Sequence, residues 1–103
     1  MKNLTQDQWK EAVENTEDAV ILDVRTEEEF IEGYIPEAKN IDIYKGQEFL
    51  DEVNKLDKSK TYYVYCRSGA RSAQACALMH QEGFENAYNL MGGITEWDGD
   101  IAK

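Results

Sequence analysis

The sequence predicts an α/β fold in which a mainly parallel sheet is flanked by helices on both sides. Residues 19–24 form a continuous, mostly apolar run, which is typical of a strand buried on both faces of a parallel sheet. Patterns typical of helices and of strands alternate along the rest of the chain. The 103 residues, 42% of them apolar, suffice for one compact core. We therefore expect residues 1–103 to form a single domain.

Two capping boxes predict the first two helices. Thr5 and Gln8 match the first box, so a helix is expected to begin there and to fade near Asn15. Residues 26–29 repeat the pattern, which predicts a short second helix. That helix is expected to end at Gly33, because glycine adopts a left-handed conformation at little cost.

Periodicity and turn residues predict the remaining elements. A turn is expected at Pro36. Three further segments have the composition of short strands, namely residues 41–43, 61–65 and 86–90. Three segments match helices, namely residues 47–53, residues 72–82 with an end at Gly83, and a short final segment at residues 92–97.

Cys66 lies where a predicted strand ends and a polar, glycine-containing segment begins. In parallel α/β sheets ligands bind at this end of the strands, and the loop N–H groups and the following helix N-terminus favour anions. A thiolate held there has a lowered pKa, and Arg67 and Arg71 favour it further. The polar composition of residues 67–72 predicts a solvent-reachable loop. We therefore interpret Cys66 as a reactive thiol rather than a small core residue.

The other cysteine and the single histidine do not supply a catalytic base. Cys76 lies mid-helix among alanines, which predicts burial without chemistry, with a resolving thiol as the alternative. His80 lies about 12 Å along the same helix from its N-terminus, at roughly 1.5 Å per residue. We expect it to be solvated near the helix C-terminus. One histidine and two spaced cysteines also argue against a metal site, so Cys66 must be activated by its own loop.

Two chemistries suit a thiolate that is activated by backbone amides without a base. One is attack on phosphorus, as in cysteine phosphatases or arsenate reductases, where the arginine usually lies one residue further from the cysteine. The other is attack on sulfane sulfur. Here four residues separate Cys66 from Arg71, so the amide cradle should be tighter. A tighter cradle suits a terminal sulfur on the cysteine better than a bound phosphate.

This loop and segments on both sides of it resemble the single-domain rhodaneses, a family of thiosulfate and persulfide sulfurtransferases. The resemblance covers nearly the whole chain and is carried by residues 22–25, 29–30, 33–38, 66–72, 90–94 and Trp97. The family usually has histidine and glycine where this chain has Tyr34 and Glu37. The resemblance implies a single rhodanese-like domain.

The resemblance also implies a ping-pong reaction in which Cys66 takes sulfane sulfur from a donor, becomes a persulfide and passes the sulfur to an acceptor. A persulfide carrier or docking module without substantial turnover is the alternative. The substrate-binding loop would comprise Arg67, Ser68, Gly69, Ala70 and Arg71. Arg67 would meet an anionic donor, whereas Arg71 would either bind substrate or pair with an acid. The residues expected to give structural support are Ser72, Asp23 and Arg25.

Charge and composition limit the partners. The formal charge of −10, from 21 acidic and 11 basic residues, disfavours nucleic acid and anionic membranes. A cytoplasmic location is expected, because the sequence has neither an apolar run of roughly 20 residues nor a secretion signal. The locally positive segment is residues 58–71, which includes Cys66. The family implies a small anionic sulfur donor and a thiol or thioredoxin-like protein acceptor. No metal or other cofactor is expected, and a monomer is the expected state.

Overall fold

A five-stranded parallel sheet forms the centre of the computed structural model, which describes residues 2–103. The strands are β1 (Lys2–Leu4), β2 (Ala19–Asp23), β3 (Lys39–Asn40), β4 (Thr61–Tyr65) and β5 (Ala87–Leu90). Their order across the sheet is β1-β5-β4-β2-β3, and all four neighbouring pairs are parallel. The predicted α/β fold is confirmed.

Four α-helices connect or follow the strands. They are α1 (Gln6–Asn15), α2 (Glu27–Glu32), α3 (Gln47–Val53) and α4 (Ala70–Gln81), with 3₁₀ turns at Ile43–Lys45 and Ile94–Glu96. Both predicted capping boxes are formed, so Thr5 and Thr26 begin α1 and α2 as the sequence indicates. No helix within residues 2–103 is long and apolar enough to cross a membrane.

The central strand β4 is buried on both faces. Tyr62 and Val64 pack in a cluster with residues of α3 and α4, whereas Tyr63 and Tyr65 pack on the other face with Trp9 of α1. Successive side chains of a strand point to opposite faces, which accounts for this division. Helices therefore cover both faces of the sheet, as predicted.

Two of the predicted elements lie at least partly elsewhere, and one strand was not predicted. The predicted strand at residues 41–43 is wrong: β3 lies two residues earlier, and Asp42 instead caps the 3₁₀ turn by accepting the Tyr44 N–H at 2.8 Å. Helix α4 begins at Ala70, two residues before the predicted start. Strand β1 was not predicted, since three residues show too little periodicity to identify a strand.

The backbone of the segment after α2, residues 33–37, has unusual dihedral angles. Helix α2 ends at Gly33 as predicted, but Gly33 has φ 158° and ψ 139° rather than a left-handed helical conformation. The turn at Pro36 is present, and Glu37 has φ 72°, a region that favours glycine. Tyr34 forms a bridge with Ala102 through two backbone hydrogen bonds of 3.0 and 2.8 Å. The departures at Tyr34 and Glu37 therefore leave this turn folded and tied to the C-terminal segment.

Candidate active site around Cys66

The Cys66 loop, residues 66–71, leaves the carboxyl end of the central strand and enters α4. Gly69 begins the helix with φ 105° and ψ −13°, a left-handed conformation in which a β-carbon is strained. A β-carbon there would also lie 3.4 Å from the Leu90 carbonyl oxygen. This glycine lets the chain turn back so that the N–H groups at the start of α4 point toward Cys66.

The Cys66 sulfur accepts two hydrogen bonds. The Gly69 N–H donates to Sγ at 3.1 Å and the Ser72 hydroxyl at 3.3 Å. Burial raises the pKa of Cys66, but the two hydrogen bonds and the nearby N–H groups of Ser72 and Ser68 together outweigh it. The net effect is a pKa below the ordinary value of 9.0. The loop therefore favours a negative charge on this sulfur without a histidine.

The predicted exposure of the loop is correct for only part of it. Arg67 and Ser68 are exposed, whereas Cys66 is 1% exposed. Cys66 continues the β4 pattern into the core, where its side chain packs in the same cluster as Val24 and Ala75. The expectation of a partly exposed thiol is therefore wrong, because the strand pattern extends one residue beyond β4.

The C-terminal segment holds the beginning of the loop in place. The Ile94 N–H donates to the Cys66 carbonyl and the Thr95 N–H to the Arg67 carbonyl, both at 3.0 Å. Gly93 makes this approach feasible, since a β-carbon there would lie 2.4 Å from the Arg67 carbonyl oxygen. Gly93 therefore permits close backbone packing.

Asp23 and Arg25 form a buried ion pair at the end of β2. Two nitrogens of the guanidinium donate to the carboxylate, the shortest contact being Nη2 to Oδ2 at 2.6 Å. The same Nη2 donates to the Gly33 carbonyl at 2.7 Å. Each charge is thus paired, which a buried carboxylate and guanidinium require. The pair links β2 to the end of α2, and neither residue hydrogen bonds to Cys66.

Arg71 pairs with an acid, one of its two predicted roles. Nη1 and Nη2 donate to the two carboxylate oxygens of Glu29 at 2.8 and 3.0 Å. The guanidinium also lies 5.3 Å from the ring centroid of Tyr44. Hydrogen bonding from Arg71 is the largest cause that lowers the pKa of Glu29 from 4.5 to about 2. Arg71 therefore braces the loop against α2.

Ser72 and Asn89 lie behind the nucleophile. Ser72 is buried in the first turn of α4, and its hydroxyl contacts both Cys66 Sγ and Asn89 Oδ1. Asn89 is 3% exposed and belongs to β5. Sequence reasoning did not identify Asn89 as part of the site. The available signal was an amide side chain in a strand that is otherwise largely buried.

The second cysteine and the histidine lie in α4. Cys76 is buried as predicted, and burial raises the pKa of its thiol to about 12. The prediction for His80 is wrong: the residue is half-buried, and its Nε2 is buried without a hydrogen-bond partner in the described chain. His80 nonetheless occupies the last turn of the helix whose first turn faces Cys66.

A cavity of about 400 Å³ lies beside the loop. Its lining includes Arg67 from the loop and the side chains of Arg25, Glu29 and Glu32. Cys66 itself does not line this cavity. In residues 2–103 no group of three or more His, Cys, Asp or Glu side chains is placed to hold a metal ion.

Comparison with known proteins identifies the family. The Rhodanese-like domain model matches residues 5–100. A sulfurtransferase from Allochromatium vinosum is 39% identical over 83 residues, which cover 81% of this chain and 75% of the relative. Putative sulfurtransferase YtwF from Bacillus subtilis is 35% identical over 100 residues, which cover 97% of this chain and 93% of the relative. The chain therefore belongs to the rhodanese-like domain family.

A solved structure supports the same conclusion. The crystal structure of a rhodanese-like domain protein from Staphylococcus aureus is 37% identical and superposes with a TM-score of 0.81. The match covers 97% of this chain and 93% of that chain. The resemblance found in the sequence is thus confirmed along with the fold.

Gly93 provides a test of the close packing at the loop. We expect Gly93→Ala to lower the free energy of unfolding by about 3 kcal/mol or more, because it combines backbone strain with a steric clash. Gly46→Ala is the matched control: Gly46 has φ 57° against 58° for Gly93, but nothing lies within 4 Å of the position that a β-carbon would take there. Strain alone should cost about 1–3 kcal/mol in this control, less than strain and clash together. Equal losses in urea unfolding would contradict the packing argument.

The Arg71–Glu29 pair gives a pH-dependent contribution to stability. Because the folded-state pKa of Glu29 is about 2 and its ordinary value is 4.5, the contribution is complete above pH 4.5 and disappears as the pH falls toward 2. Glu29→Gln preserves the capping pattern but removes the charge. It should lower the unfolding free energy by about 1 kcal/mol at pH 7.

Urea unfolding of the wild type and Glu29→Gln between pH 7 and pH 3 measures this contribution. The difference between them should shrink on acidification below about pH 4.5. Glu28→Gln, on an exposed position of the same helix, is the control and should show little loss at any pH. A difference between wild type and Glu29→Gln that stayed constant with pH would show that ionisation of Glu29 is not responsible.

Proposed function

We propose that this protein is a sulfurtransferase that moves sulfane sulfur through a persulfide on Cys66. The observation that carries the proposal is the set of donors around Sγ, namely the Gly69 N–H, the Ser72 hydroxyl and the neighbouring loop amides. These donors lower the pKa of Cys66 and so favour a sulfur anion without a base. The family and the sulfurtransferase names of two relatives support the same activity.

The first half-reaction transfers a sulfur atom to Cys66. The Cys66 thiolate attacks the outer sulfur of a small anionic donor such as thiosulfate or a persulfide. A bond forms between Sγ and that sulfur, the donor's sulfur–sulfur bond breaks, and sulfite or a thiolate leaves with the electron pair. The loop N–H groups then stabilise the terminal sulfur anion.

The second half-reaction removes the terminal sulfur from Cys66. A thiophilic acceptor, such as a small thiol or a thiol on a thioredoxin-like protein, attacks the terminal sulfur. The Sγ–S bond breaks and Cys66 leaves as a thiolate, ready for another donor. A leaving thiolate needs little protonation, so this step does not require a base beside the cysteine.

Arg67 is the residue of the loop best placed to receive an anionic donor. Arg25 and Arg71 are already paired with Asp23 and Glu29, whereas Arg67 forms no ion pair with any described residue. Arg67 is exposed and lines the cavity beside the loop. We infer that a donor enters there and that the exposed part of the loop shifts to admit it to the buried sulfur.

The burial of Cys66 favours a second version of the function. A sulfur that is 1% exposed in the resting protein would exchange slowly with free small molecules. In this version the domain carries a persulfide and discharges it efficiently only to a docked protein acceptor. Turnover with a small acceptor, compared with transfer to a protein thiol, distinguishes the carrier from the enzyme.

Intact mass spectrometry tests the persulfide directly. After incubation with thiosulfate and removal of the excess, the protein should gain the mass of one sulfur atom, and cyanide should remove it. Cys66→Ser should abolish the gain, whereas Cys76→Ser should retain it because the pKa of Cys76 is raised by burial. If no sulfur is gained from thiosulfate or a low-molecular-weight persulfide, or if it resides on Cys76, the proposal fails.

A further inference from the structure

The Ser72 hydroxyl lies between two hydrogen-bond acceptors. Its oxygen is 3.3 Å from Cys66 Sγ and 2.5 Å from Asn89 Oδ1, and all three residues are buried. A hydroxyl group carries one hydrogen and can donate it to only one of these atoms at a time. The two contacts of Ser72 are therefore alternatives whenever both partners require a donor.

The orientation of the Asn89 amide is determined by its other contacts. Nδ2 donates to the Gly69 carbonyl at 3.1 Å and to Asn3 Oδ1 at 2.9 Å. A backbone carbonyl only accepts hydrogen bonds, so the NH₂ group must face Gly69. Oδ1 must then face Ser72, where it requires a hydrogen that the hydroxyl can supply.

The protonation state of Cys66 decides whether these requirements conflict. With a thiol, the S–H can donate to Ser72 Oγ while the Ser72 O–H donates to Asn89, so every buried group is satisfied. With a thiolate, the sulfur needs the Ser72 hydrogen. If the Ser72 hydroxyl turns toward the sulfur, Asn89 Oδ1 loses its donor. Leaving a buried acceptor without a partner is unfavourable.

We propose that Asn89 is a positioning residue that competes with the Cys66 sulfur for the Ser72 hydrogen and thereby opposes the bare thiolate. The competition arises whenever Cys66 is a thiolate, so it exists in the sulfur-free protein and needs no sulfur donor. A hydrogen bond to a charged group is stronger than one to a neutral group, so Ser72 can still turn toward a thiolate. The presence of Asn89 reduces the net stabilisation that results.

The same competition favours the persulfide, a consequence that rests on the proposed function. Once Sγ is bonded to a second sulfur, the negative charge resides on the terminal atom and Sγ needs the hydrogen less. The Ser72 hydroxyl can then donate to Asn89. When an acceptor takes the terminal sulfur, the Sγ–S electron pair stays on Sγ, and the hydroxyl can turn toward the new thiolate.

Other titratable or charged groups near Cys66 do not replace this interaction. Arg71 of α4 is paired with Glu29, and Cys76 has a thiol pKa raised to about 12 by burial. Arg67 is exposed at the loop, and the Asp23–Arg25 pair closes on itself at the end of β2. None of these side chains hydrogen bonds to Sγ in the described part of the chain. The Ser72 hydroxyl is thus the side-chain donor to Sγ on which Asn89 can act.

Titration of Cys66 in Asn89→Leu tests the proposal. Leucine has a similar size but no acceptor, so Ser72 should be free to donate to the thiolate, and the pKa of Cys66 should fall by about one unit, a tenfold gain in thiolate below the pKa. Thiolate absorbance, corrected with the Cys66→Ser protein, measures the pKa without any sulfur donor. Asn3→Ala is the control, since it removes an Asn89 contact but leaves Oδ1 facing Ser72, and should leave the pKa unchanged.

A double-mutant cycle separates competition from general disruption of the loop. In a Ser72→Ala background, Asn89→Leu should no longer lower the pKa of Cys66. Loss of the hydrogen bond from Asn89 to the Gly69 carbonyl would by itself loosen the loop and raise the pKa of Cys66. That change is opposite in sign to the one that competition predicts. An unchanged or raised pKa in Asn89→Leu, or a fall that persists without the Ser72 hydroxyl, would overturn the proposal. Asn89→Ala replaces Asn89→Leu if circular dichroism shows that the latter does not fold.

Discussion

The hydrogen bonds that converge on the Cys66 sulfur are the interaction on which the site depends. They require Gly69 to take a left-handed conformation, so that its N–H points back along the loop. They also require Ser72 to occupy the first turn of α4, directly behind the sulfur. The fold supplies both conditions by ending the buried central strand at Tyr65, directly before Cys66, and beginning α4 at Ala70. The anion-binding character of the site therefore follows from backbone geometry.

The two ion pairs beside the loop have a different role. Arg25, paired with Asp23, ties the end of β2 to Gly33 after α2, and Arg71 ties α4 to Glu29 of α2. In forming these pairs, the arginines lose most of their capacity to attract an anion over a distance. Arg67 is left as the exposed loop cation. The structure thus separates the residues that hold the loop from the residue that would meet a donor.

The sequence predicted features governed by local rules better than those governed by tertiary packing. The capping boxes at Thr5 and Thr26 and the central strand are local patterns, and the structure has them where expected. Strand β1 exists only because β5 provides its partner, so no local pattern revealed it. The burial of Cys66 depends on packing in the core cluster and not on the polarity of the residues that follow it.

In the site, too, local features were predicted from the sequence and tertiary contacts were not. Spacing identified Cys66 and the loop, but the choice between substrate binding and bracing for Arg71 required the position of Glu29, 42 residues earlier in the chain. Asn89 could not be connected with Ser72 from sequence, because the two meet only when β5 lies beside the first turn of α4. Residues that act through a partner are found by their contacts, which the linear pattern does not contain.

The most direct test of this account is the thiolate pKa of Cys66 in the folded protein compared with the same chain unfolded in urea. Hydrogen bonds from the loop lower the folded-state value in spite of burial. Folding should therefore be favoured more strongly above the unfolded-state pKa, with the gain lost as the pH falls through the folded-state pKa. A lower pKa in the folded protein is the predicted result. An equal or higher value would mean that burial prevails and that the loop does not stabilise a sulfur anion.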